Sequence, residues 1–87
     1  MSLGMLSNFA TTERYAEACG VPKVAIEREL TSSVKLLRAC LEARGVPPAK
    51  IDQTLQNGAK LGEQMLPAAQ KDPAFCPRIK AGFGKAG

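Results

Sequence analysis

Two long stretches of the chain repeat apolar residues at helical spacing. With side chains about 100° apart, Ile26, Leu30, Ser33, Val34, Leu37, Cys40 and Leu41 fall on one arc of about 120° between Lys23 and Arg44. Glu27, Arg28, Thr31, Lys35, Arg38 and Glu42 fall opposite, so the pattern predicts an amphipathic helix. From Pro48 to Leu66, one face carries Ile51, Leu55, Gly58, Ala59, Gly62, Met65 and Leu66, while Gln53, Gln56, Asn57, Lys60 and Gln64 point away. Asp52 sits in the first turn, where the helix dipole favours an anion, and Pro67 is expected to end this helix. Glycine inside a helix costs roughly 1 kcal/mol relative to alanine. Gly58 and Gly62 lie at the centre of the apolar face, so they point to a close approach of another backbone, either a neighbouring helix or a dimer partner. A first helix ends at Cys19, with Phe9, Thr12, Tyr15, Ala16 and Cys19 on one side. Ser2, Ser7, Asn8 and Thr11 each offer an N-cap, and an early start adds Leu3 and Leu6 to the stripe.

The stops between these helices repeat. Residues 16–41 align without gaps onto 41–66, an offset of 25, with ten of 26 positions identical. The shared unit is a helix end, Gly-Val-Pro (Gly20-Val21-Pro22 and Gly45-Val46-Pro47), and a new helix with Ile26/Ile51, Leu30/Leu55 and Leu36/Leu61 in register. Glycine just past a helix takes the left-handed conformation of a Schellman-type cap. Valine packs back on the last turn, and proline stops the old helix while pre-setting φ for the next. Gly20, Pro22, Gly45 and Pro47 are therefore helix joints, each forcing a sharp reversal.

The expected fold is all-α, a small antiparallel three-helix (up-down-up) bundle with room for a short fourth helical segment between Pro67 and Cys76. Eighty-seven residues make one domain. The expected division is a helical domain over 1–79 and a flexible Gly/Lys-rich tail over 80–87. Aromatics are 5% of the chain, so aliphatic side chains and alanine have to hold the core. The net charge is +4. Lys71, Arg78, Lys80 and Lys85 against Asp72 place most of that excess after residue 70, which favours a solvated tail over a basic binding face. No apolar run reaches the roughly 18–20 residues needed to cross a bilayer, and Met1–Phe9 lacks the basic start and long apolar centre of a signal peptide.

The three cysteines form no metal-ligand spacing, and the chain has no histidine. They allow one disulfide with one leftover thiol, or three reduced core cysteines. A helix over 23–44 is about 33 Å long, and the next one returns its end to the neighbourhood of Cys19. Cys40 lies roughly 25 Å away. Any disulfide is therefore expected to join Cys19 to Cys76, leaving Cys40 as a buried thiol on the core face. Such a bond implies a periplasmic or secreted home, and its absence a cytoplasmic one.

Catalysis needs a poised nucleophile, acid or base. The commonest base is missing, the carboxylates project from solvated faces, and no glycine-rich phosphate loop follows a strand. No catalytic, cofactor or metal residue is assigned. Ala16-Glu-Ala-Cys-Gly-Val-Pro-Lys-Val-Ala-Ile26 resembles a helix-turn-helix signature. The resemblance implies a DNA-binding segment over residues 12–31 with Lys23 and Arg28 as contacts. Glu29 departs from the motif at an apolar position, the second helix is long for recognition, and the same joint recurs at Gly45 as a connector. The favoured expectation is a non-enzymatic helical protein acting through protein contacts or self-association. DNA binding is the alternative, with nucleic acid the less expected partner and no small-molecule site evident in the sequence.

Overall fold

The computed structural model describes residues 3–84, which form four helices and no strand: α1 (Leu3–Ala18), α2 (residues 23–43), α3 (Pro48–Ala69) and α4 (Phe75–Gly84). The protein is all-α, and no helix among the described residues is long and apolar enough to cross a membrane. α1 starts early, so Ser7, Asn8 and Thr11 lie inside it rather than at its cap; Ser2 lies outside the described residues. The early start places Leu6 at the centre of the core, fully buried with Ile51.

Both joints close in the same way. Gly20 has φ 81° and Gly45 has φ 92°. Val21 N–H donates to the Ala16 carbonyl at 3.0 Å and Gly20 N–H to Glu17 at 3.2 Å; Val46 donates to Leu41 at 3.0 Å and Gly45 to Glu42 at 3.0 Å. These are the two bonds of a Schellman cap. Pro22 and Pro47 then begin the next helices, their carbonyls accepting from Ala25 and Ile26, and from Lys50 and Ile51. Each valine packs in the same apolar cluster as the residue whose carbonyl it bonds, Val21 with Ala16 and Val46 with Leu41.

α2 differs from the regular helix expected over Lys23–Arg44. It runs as Lys23–Ile26, a π-helical turn at Glu27–Thr31, and Ser32–Ala43, with helical backbone across each boundary. A π turn holds one extra residue, which rotates the preceding segment against the following one by roughly 100°. That rotation brings Ala25 onto the buried side with Ile26, Leu30, Leu37 and Leu41. Hydrophobic periodicity alone reads straight through such a turn.

α1 and α3 run in the same direction in close contact, with Ser7 and Thr11 against Gly58, and Thr11 and Arg14 against Gly62. α2 returns between them in sequence. The glycine face of α3 thus seats the chain's own α1 rather than a second subunit. A Cβ on Gly58 would overlap the Ser7 carbonyl oxygen and stand 2.9 Å from Ser7 C and Cα. The missing side chain also exposes the Gly58 carbonyl, which accepts from Thr11 Oγ1 at 2.8 Å. The core forms two clusters that share Phe9: Ala16, Val21, Ala25, Ile26, Leu30 and Phe83 at one end, Leu6, Leu37, Leu41 and Ile51 at the other.

Three expectations at the C-terminal end are corrected. Pro67 does not end α3, which continues to Ala69. Proline removes only the bond to the Glu63 carbonyl, and both residues are exposed, where water substitutes. The fourth helix lies at Phe75–Gly84 instead of before Cys76. Residues 80–84 are accordingly helix rather than flexible tail, because Phe83 is buried against the start of α2. Residues 85–87 of that expected tail lie outside the described residues.

Candidate protein-contact surfaces

The cysteines come together as the helix layout requires. Cys19 follows the last residue of α1 and Cys76 lies in the first turn of α4; their sulfurs stand at disulfide-bonding distance and their Cα atoms are 5.2 Å apart. The ring of Phe75, the neighbouring residue, meets Tyr15 edge-on, with centroids 5.1 Å apart. Cys40 is free but only half-buried, not a core thiol. It lies at the margin of the predicted apolar arc, whereas Leu37 and Leu41 point into the cluster.

Among the described residues the most exposed large apolar side chain is Leu36, at 75% of its free surface, on the outer side of α2. Met5 of α1, 46% exposed, stands with it over a shallow hollow of about 360 Å³ floored by Phe9, Ser33, Leu37 and Cys40. The expected site residues included neither Met5 nor Leu36. One signal was present: Leu36 and Leu61 are matched across the 25-residue offset and both lie off the apolar faces. Leu61 is also exposed, on α3.

A second depression lies among α1, α2 and α3. It measures about 310 Å³ and is lined mainly by Phe9, Ala10, Leu30, Val34, Leu55 and Ala59. Arg38 on its rim bonds Asp52 at 2.7 Å and approaches Glu42 at 3.8 Å. The bond to Asp52 raises the Arg38 pKa above its already high ordinary value, so the guanidinium ties α2 to α3 as a fixed cation. Exposed pairs of this kind contribute little stability and mainly set geometry.

Lys23 and Arg28, the candidate DNA contacts, line a third, broad surface. It carries Glu13, Glu17 and Glu27 as well as Lys23, Arg28 and Lys35, so its charges are mixed. Arg28 is itself drawn toward Glu29, 3.6 Å away. Among the described residues no group of three His, Cys, Asp or Glu side chains is placed to hold a metal ion. No family model, no curated protein and no solved structure matches this chain.

Proposed function

We propose that this chain is a non-enzymatic helical protein that acts through protein–protein contacts, with the Met5–Leu36 surface as its contact face and self-association as its first use. The observation that carries this reading is the exposure of Leu36 beside Met5 over an apolar floor. Full burial of a leucine contributes about 1.5–3 kcal/mol, and Leu36 leaves most of that unrealised in the single chain. The reading is supported by the lack of histidine and by six carboxylates, Glu17, Glu29, Glu42, Asp52, Glu63 and Asp72, that are engaged with arginines on the surface. The Cys19–Cys76 pair supports a periplasmic or secreted home, since disulfides persist in oxidising compartments and are reduced to thiols in the cytosol. DNA binding is not adopted, because a phosphate backbone approaching Lys23 and Arg28 would meet three carboxylates on the same surface.

Sedimentation velocity over a concentration series tests the reading. The wild type should show a concentration-dependent dimer that Leu36→Glu abolishes while helix content stays unchanged. The same oligomeric state in both chains at every concentration would refute it.

A further inference from the structure

α4 is held almost entirely by surfaces distant from it in sequence. Its neighbours are α1 and the start of α2, where Phe83 is buried in the cluster of Ala16, Val21, Ala25, Ile26 and Leu30. Ile79 packs against the same cluster and Phe75 against Tyr15. Phe75, Ile79 and Phe83 are spaced four apart, so they form one stripe, and the contact is that of an amphipathic helix laid in a groove. Ten residues that include Pro77, Gly82 and Gly84 do not make a stable helix in isolation. The groove therefore makes α4 a helix, and the groove belongs to another part of the chain.

The connection to α3 is short and exposed. Residues 70–74 separate the helices, and five residues span at most about 17 Å when extended. The turn is held by the Asp72 carboxylate, which accepts from the Ala74 N–H at 2.9 Å and from Arg78 at 2.8 Å, and by backbone bonds from Asp72 N–H to Ala69 at 3.1 Å and from Phe75 N–H to Asp72 at 3.0 Å. Residues 70–74 are all exposed, so water can replace these bonds when the turn straightens.

We propose that the groove also accepts α4 of a second copy, giving a reciprocal exchanged dimer sealed by Cys19–Cys76 bonds between chains. The occupant follows from the structure, because the groove is already filled by this helix and the same contacts are available in trans. Only the exposed turn changes, so the balance between the forms depends on concentration. The covalent step needs no net oxidation. Two bonds within chains break and two between chains form; a small thiolate such as reduced glutathione attacks first and is expelled at the end. The inference uses a different face from the Met5–Leu36 surface and does not rest on it.

Two chains that cannot close the bond internally test the idea. One carries Cys19→Ser and Cys40→Ser, the other Cys76→Ser and Cys40→Ser. They are mixed in glutathione buffer, where each new disulfide reduces one oxidised glutathione to two reduced molecules. The expected product is a covalent heterodimer joined from Cys76 of the first chain to Cys19 of the second. Phe83→Asp in the first chain should lower its yield at least about tenfold, because a carboxylate must then enter the apolar groove. The same change in the second chain should raise the yield by emptying the acceptor groove. If these chains fail to fold, the wild type reoxidised at about 1 mM should give a reducible dimer that is scarce at about 10 µM, and that persists with Leu36→Glu. A heterodimer no more abundant than the Cys76–Cys76 homodimer, or one indifferent to Phe83→Asp in either chain, would overturn the proposal. So would a wild type that reoxidises to monomer alone at both concentrations.

Discussion

At the Gly45 end, Leu41, Val46 and Ile51 pack with Leu6 and Leu37, all supplied by α1, α2, α3 and the joint between the last two. At the Gly20 end, the same joint gathers Ala16, Val21, Ala25, Ile26 and Leu30, and the cluster is completed by Phe83 from α4. The joints themselves match bond for bond. What differs is side-chain volume at aligned places, since Ala16 stands where the second unit has Leu41. A shared stop signal thus sets direction without supplying a core. The Gly20 cluster, built from two alanines and mid-sized aliphatics, draws on the C-terminal helix for its largest side chain, Phe83, and on a disulfide to keep that helix in place.

Removing the disulfide should weaken the Gly20 end far more than the Gly45 end. Cys19 and Cys76 are separated by 57 positions, and closing a loop of that size stabilises a fold by about 4 kcal/mol in the chain-entropy model. Urea unfolding of the Cys19→Ser, Cys76→Ser double variant should show a loss of that order. An unchanged midpoint would mean that α4 is held by packing alone.

A smaller effect separates two glycines of α3. Gly58→Ala should destabilise by about 1–3 kcal/mol, because the new methyl meets Ser7 backbone that cannot move without parting α1 from α3. At Gly62 the nearest atoms are 3.1–3.3 Å from the added Cβ. The gain of roughly 1 kcal/mol in helix propensity should offset that crowding and leave Gly62→Ala nearly neutral. Equal losses at the two positions would contradict the close seam at Ser7. The smallest difference is expected between the joints. Nothing lies within 4 Å of a Cβ at Gly20 or Gly45, so alanine at either should cost only the left-handed penalty, about 1 kcal/mol. Thermal melts that differ widely between the two variants would show that the joints are not equivalent.

Much of this arrangement was legible in the residues. The Gly-Val-Pro pairs mark both reversals, because the glycine closes one helix in the left-handed conformation and the proline two residues on opens the next. The layout they imply put Cys19 near Cys76, and the glycines on the apolar face of α3 implied a close neighbour. Where the structure departs from the local pattern, one cause is shared: distant contacts override local signals. The Gly-rich end of α4 looks flexible until Phe83 finds its groove. Pro67 looks like a stop until the helix is seen to pass it on an exposed side. The π turn leaves no mark in a pattern already apolar at every turn, and Leu36 gains meaning only once its surroundings are known to be solvent.

Hydrogen exchange on the oxidised and the reduced protein tests the unequal dependence of the two ends most directly. After reduction, amides of α4 and of the first turns of α2 should lose protection, while those of α1 and α3 around Ser7, Thr11 and Gly58 stay protected. Uniform loss along the chain, or no change in α4, would contradict the account.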